Sequence, residues 1–177
     1  MGTIDDFATA FGQGQRVSQF RVQGPFVANS GNSFSDTETE FFVKSAQYPS
    51  SNIGIIEVPY RGRKIKMPGD RVFNEWSISV LLDSENRMYD NFVTWMNALN
   101  SHSNVEQAGA VGTQLKTTWN IQALDPTGQP NSKPIELKNC FPTEVGTVDF
   151  NYETTDTIAE FSVTMHFDYW TKDGVTT

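Results

Sequence analysis

Apolar residues recur at two periods along this chain. Near the start, Ile4, Phe7, Ala8 and Phe11 fall at helical spacing, which predicts a short amphipathic helix stopped by Gly12 and Gly14. Alternation then takes over. Phe20, Val22 and Phe26 share one face, and Gly24-Pro25 between them suggests an edge strand or a bulge. Residues 28–39 are rich in Ser, Asn, Gly, Asp, Thr and Glu and read as a flexible loop. Phe41 and Val43 open a short strand that Pro49 ends. Ile56, Val58 and Tyr60 run into Arg61-Gly62, after which Ile65 and Met67 alternate with Lys64 and Lys66, predicting a hairpin turning at Arg61-Gly62. Pro68-Gly69 reads as a pair of breakers that ends this hairpin, and a strand from Phe73 to Leu82 follows, with Trp76, Ile78, Val80 and Leu82 on one side.

The second half carries the one long helical stripe. Met88, Phe92, Trp95, Met96 and Leu99 line one face, Asp83 or Ser84 is the expected cap with Glu85 in the first turn, and the end falls near Asn100-Ser101. Residues 101–116 are a second polar loop. Trp119, Ile121 and Ala123 then alternate, Asp125-Pro126-Thr127-Gly128 makes a turn, and Ile135 and Leu137 lead to Phe141-Pro142. Val148, Phe150 and Tyr152 share a face. The last and longest strand sets Ala159, Phe161, Val163, Met165, Phe167 and Tyr169 against Glu160, Ser162, Thr164, His166 and Asp168. The pattern predicts a mostly β protein, an antiparallel sandwich or barrel with one packed α-helix, forming a single domain over 1–177. Its many strand edges are a liability in a monomer and a means of joining neighbours in a ring.

Composition narrows the chemistry. The 13 Phe and 4 Trp supply large buried areas from few positions. Trp76, Trp95, Trp119 and Trp170 are expected as core or interface anchors. A formal charge of -8 argues against sequence-reading DNA binding, which needs a basic footprint, although it suits a surface that DNA passes without sticking. Cys140 is the single cysteine, so neither an intrachain disulfide nor a cysteine metal site is available. No secretion signal and no apolar run of membrane-spanning length is visible, so a soluble protein made in a reducing cytoplasm is expected.

Catalytic readings find little. His166 and Asp168 lie two apart on one strand face, but no Gly-x-Ser-x-Gly motif accompanies them, and His102, the other histidine, stands at no metal-ligand spacing. No enzyme activity, cofactor or metal is expected. Arg61, Arg63, Lys64 and Lys66 form the one basic patch, and Asp70-Arg71 reads as a turn or an ion pair at an interface.

Three segments carry a family likeness in order and spacing: Ile65 to Trp76 with its Gly69-Asp70-Arg71, Phe92-Val93-Thr94-Trp95, and Phe141 to Gly146 followed by the strand ending at Phe167-Asp168-Tyr169-Trp170. Together they resemble the tail tube protein of contractile-tailed bacteriophages. The resemblance implies hexameric rings whose strands join into a continuous inner barrel, with rings stacked into a hollow tube that conducts double-stranded DNA without reading it. It implies partners in the tail sheath protein, baseplate initiator, tape measure protein and tail terminator, with no membrane insertion. It places the protein in the virion tail, assembled in the host cytoplasm. Arg61, Arg63, Lys64, Lys66, Asp70 and Arg71 become candidate subunit contacts, and Glu160, Ser162, Thr164, His166 and Asp168 candidate lumen residues. The loops at 28–39 and 101–116, with the N-terminal segment, become candidates for contact between stacked rings. Bacteriocin and type VI secretion tubes share this fold, so a tube of either kind is an alternative reading. A monomeric ligand-binding or hydrolytic β-barrel is the other.

Overall fold

A computed structural model describes residues 3–12, 14–27, 38–101, 115–153 and 155–172. Among the described residues, nine strands and three helices run in the order α1 (Ile4–Phe11), β1 (Phe20–Gln23), α2 (Thr39–Phe42), β2 (Val43–Ala46), β3 (Ser51–Tyr60), β4 (Arg63–Phe73), β5 (Trp76–Leu81), α3 (Arg87–Leu99), β6 (Thr117–Ala123), β7 (Ile135–Val145), β8 (Glu160–His166) and β9 (Tyr169–Lys172). All strand pairings are antiparallel, so the mostly β expectation holds.

Seven strands form one bent sheet in the order β1-β6-β7-β8-β5-β2, with β9 also on β7. The long strand β7 is the hinge. Its first half, Ile135 to Cys140, lies between β6 and β9, while Phe141 to Val145 pairs with β8. Leu137, Trp119, Ile121, Trp76, Val80, Val163 and Met165 turn inward from the two halves to make one core. Helix α3 packs on β7 and closes it with Met88, Phe92 and Trp95, all fully buried. Phe26 meets Phe92, Trp95 and Trp119 edge-on at 4.9, 6.1 and 5.8 Å. The three fully buried indoles each have an acceptor: Trp76 donates to the Gln47 carbonyl at 2.6 Å, Trp95 to the Leu115 carbonyl at 2.7 Å, and Trp119 to the Thr117 hydroxyl at 3.1 Å. Gly24 passes so close to Trp119 that a Cβ there would lie 2.2 Å from the ring. Cys140 is buried and free, and burial pushes its thiol up to about 12.

Several expectations are corrected. Pro68-Gly69 does not end the hairpin: β4 runs through both residues to Phe73. The register slips between Ile53 and Ile55, so a bulge at Gly69-Asp70 opposite Gly54 absorbs them. A two-stranded arm has only edge strands, where proline's missing N–H costs little, and the two glycines meet backbone to backbone at the bulge. Asp70-Arg71 is therefore strand, not turn, and the strand expected from Phe73 begins at Trp76 after a corner at Asn74-Glu75.

The cap of α3 is Asn86 in the left-handed region, not Asp83 or Ser84. Asp83 instead accepts a 2.7 Å hydrogen bond from Arg87, one turn on, which raises the Arg87 pKa. Phe41 belongs to α2 rather than to a strand. Val148, Phe150 and Tyr152 form no strand, and Phe150 and Tyr152 stand exposed. The final strand is broken at Phe167-Asp168 into β8 and β9, so β4 and β7, at 11 residues each, are longer. Residues 28–37 of the first predicted loop and 102–114 of the second, His102 included, lie outside the described residues.

Candidate assembly surfaces

Three exposed surfaces fall outside the core. The first is the outward side of the β2-β5-β8-β7 half-sheet. Inward residues of β8 alternate with Glu160, Ser162, Thr164 and His166, so burial of Phe161, Val163 and Met165 forces those four outward. Ser77 and Ser79 of β5 lie beside Thr164 and Ser162 in register, and the Ser77 and Thr164 hydroxyls are 3.3 Å apart. Lys44 of β2 pairs with Glu160 and, with Ser79, holds that carboxyl below its ordinary pKa. His166 lies 3.6 Å from Glu75 and stacks on Phe141. The surface is hydroxyl-rich and mildly acidic. Asp168 stands apart, past the end of β8. Its carboxylate accepts from Asn139 at 2.7 Å and from Lys116 at 3.1 Å, and these bonds, Asn139 first, lower its pKa.

The two outer edges of this half-sheet have no strand partner among the described residues. β2 pairs only with β5, and the Phe141–Val145 part of β7 pairs only with β8. Such edges present unpaired amides and carbonyls at opposite sides of one polar sheet.

The second surface is the β3-β4 arm, whose strands, among the described residues, pair only with each other. Arg61 and Gly62 both take positive φ, 45° and 83°, the geometry of a tight hairpin turn whose twist matches its strands. Ile56, Val58, Tyr60, Ile65 and Met67 are paired across the strands and lie on one face, all exposed. On the other face Lys64 pairs with Glu57 at 2.6 Å. Arg61 stacks over Tyr60 at 5.4 Å. Lys64 is the one member of the predicted basic and Asp70-Arg71 set that is ion-paired among the described residues; Arg63, Lys66, Asp70 and Arg71 are exposed along the arm. Sequence reasoning missed that this arm stands exposed, although the alternation of Ile56, Val58, Tyr60, Ile65 and Met67 on both sides of the turn was the available signal.

The third surface is α1. Thr3 and Asp6 make a reciprocal capping box at 3.2 and 2.8 Å, and Phe7 stacks on Phe11 at 5.3 Å, but none of its residues is buried.

Catalytic chemistry has little footing. Among the described residues no cluster of three His, Cys, Asp or Glu could hold a metal ion. The clefts are shallow: one of about 260 Å³ lies between Phe20, Ala46, Tyr48 and Ile121, another of about 380 Å³ beside Leu82, Tyr89 and Val148, and neither gathers convergent charged groups. No helix among the described residues is long and apolar enough to cross a membrane.

Comparison with known proteins agrees with a surface built for assembly. The tail tube protein gp19 of Enterobacteria phage T4 is 28% identical over 169 residues, covering 94% of this chain and 98% of that protein. The tail tube protein of Serratia phage KSP90 is 22% identical over 170 residues, covering 94% and 95%. Among solved structures, a chain of the sheath-tube complex of an extracellular contractile injection system, in its extended state, covers 97% of both chains with a TM-score of 0.58 and 18% identity. The description "Phage tail tube protein" matches residues 7–173 as a family. With a match of that extent, the chain belongs to the phage tail tube protein family, a family of structural proteins and not of enzymes.

Proposed function

We propose that this chain, working as one domain over residues 1–177, forms hexameric rings that stack into the hollow inner tube of a contractile phage tail. The observation that carries this reading is the four-stranded half-sheet β2-β5-β8-β7, polar on its open side and unpaired at both edges. Joining the β2 edge of one copy to the β7 edge of the next is a heterologous contact, and a rotation that closes it leaves no edge exposed. Ser77, Ser79, Glu160, Ser162, Thr164 and His166 then line a water-filled channel. Neutral hydroxyls and a slight excess of carboxylate present phosphate with no net positive charge to hold it, which suits passage of double-stranded DNA. The overall charge of -8 points the same way. Asp168, held by Asn139 and Lys116, acts at the channel's rim rather than on its wall. Arg63, Lys66, Asp70 and Arg71 on the arm meet a neighbouring subunit. The sheath, baseplate initiator, tape measure and terminator are the further partners of such a tube, in a virion tail assembled in the host cytoplasm.

Cryo-electron microscopy of the assembled protein tests this. The expected map has a central channel with Ser162 and Thr164 on its wall and a backbone ladder joining β2 to the neighbouring β7. A channel lined by α3 or by the β1-β6 side overturns the reading.

A further inference from the structure

We propose that α1 of one subunit docks on the apolar face of the β3-β4 arm of a second copy of this chain. The inference rests on the tube reading above, since it needs copies in a repeating contact. Three observations carry it.

The first is that α1 packs against nothing among the described residues. It has eight residues and buries none of them, although Ile4, Phe7 and Phe11 form one stripe with Phe7 and Phe11 stacked. Isolated helices shorter than about 12 residues are marginal in water even with good caps, so this one needs a surface to lie on. The second is fit. Ile56, Val58 and Tyr60, flanked by Ile65 and Met67, make an apolar strip on one side of the arm. The four residue steps from Ile56 to Tyr60 span about 13 Å at strand rise, and eight residues of helix span about 12 Å. The third is charge. The arm, residues 51–73, carries five Lys and Arg against two carboxylates in a chain of net charge -8, while α1 carries Asp5 and Asp6 and no cation. Arg63 sits beside Tyr60 at the end of the apolar strip, where an acidic helix would complement it.

The contact is heterologous, helix to arm, so it propagates from copy to copy without saturating, as a tube requires. It also explains how an arm with a broad apolar face avoids indiscriminate pairing: the helix covers it.

The test uses two single variants of the full chain, Phe7→Cys and Met67→Cys. Both positions are exposed and remote from the core, and the native thiol of Cys140 is buried. The two proteins are mixed, assembled and mildly oxidised. The expected product is a reducible dimer containing one chain of each variant, absent when either variant is oxidised alone. Normal tubes without that dimer overturn the inference and leave the tube reading standing. Failure of the wild-type chain to form tubes under any assembly condition overturns both. As a second readout, Asp5→Arg lowers the assembled fraction several-fold and Arg63→Asp in the same chain restores it; equal loss in the single and double variants also overturns the inference.

Discussion

The body and the arm of this protein use the same kind of residue to opposite ends. In the body, Trp76, Trp95, Trp119 and Phe92 are essentially inaccessible and interlock at ring distances of 6.0 to 6.5 Å. On the arm, Ile56, Val58, Tyr60, Ile65 and Met67 alternate as strictly as any core strand, yet every one is exposed. Period-two alternation therefore records that a face will be covered, without saying by which chain. Burial in the body supports folding of the monomer. The arm's apolar face is open in the subunit, so on the assembly proposed above its residues should contribute to assembly and hardly to the stability of a single subunit.

The sharpest break of that contrast is Trp119→Ala. Removing a fully buried indole at the meeting point of Phe26, Phe92 and Trp76 should lower the unfolding free energy by about 3–5 kcal/mol, read as a urea midpoint shift. A loss below about 1 kcal/mol would mean that the body is not the folding unit. Next is Gly24→Ala, whose Cβ would enter the Trp119 ring. The expected cost is about 1–3 kcal/mol by the same measurement, because backbone and indole both resist moving. On the arm, Ile56→Glu should change monomer stability by no more than about 0.5 kcal/mol while abolishing tubes in negative-stain images. Arg71→Ala, milder, should raise the concentration needed for assembly several-fold with an unchanged thermal midpoint. Equal effects on midpoint and assembly would erase the distinction for either residue.

The smallest effect concerns the corner that joins the two sheet halves. Asn139 and Lys116 hold the Asp168 carboxyl below its ordinary value of 3.8. A depressed folded pKa contributes stability above the unfolded value, and that contribution disappears as pH falls through the folded value. The Asp168 side chain is half exposed, so screening limits the contribution to a few tenths of a kcal/mol, roughly that of a surface pair. Asp168→Asn should thus cost slightly at neutral pH and nothing in strong acid, measured by urea melts across that range. A cost that stays constant down to about pH 2 would assign the effect to geometry alone.

Much of the fold was legible before any coordinates. The helix from Arg87 to Leu99, the hairpin turning at Arg61-Gly62, the inward sides of β5, β6 and β8, and the turn at Asp125 all follow from local spacing. At that turn the Asp125 carboxylate accepts from the amides of Thr127 and Gln129, both at 2.8 Å, as Asp-Pro-Thr-Gly suggests. The misreadings cluster where a local signal has two outcomes. Pro68-Gly69 can stop a strand or bulge it, and only the pairing with Ile55 and Gly54 decides. Val148, Phe150 and Tyr152 alternate, but no neighbouring strand offers them a ladder. The face of Glu160, Ser162, Thr164 and His166 was legible because β8 alternates strictly; Asp168 left that face because the chain bends at Phe167 to return along β7.

The sequence by itself determined which residues must leave water and the period at which they do so, since side-chain direction repeats every two residues in a strand and about every 3.6 in a helix. It also determined the resemblance to tube proteins, because the motif order survives in one dimension. The tertiary structure decided what covers each apolar face, where β7 bends so that one strand serves two half-sheets, and which edges are left open. Those outcomes depend on partners far apart in the chain, whose backbone hydrogen bonds are the same for any side chain and so leave no mark in the pattern. The arm and α1 follow the same rule one level higher: their apolar spacing is that of covered faces, yet among the described residues both stand exposed, which is why a second copy is proposed to cover them.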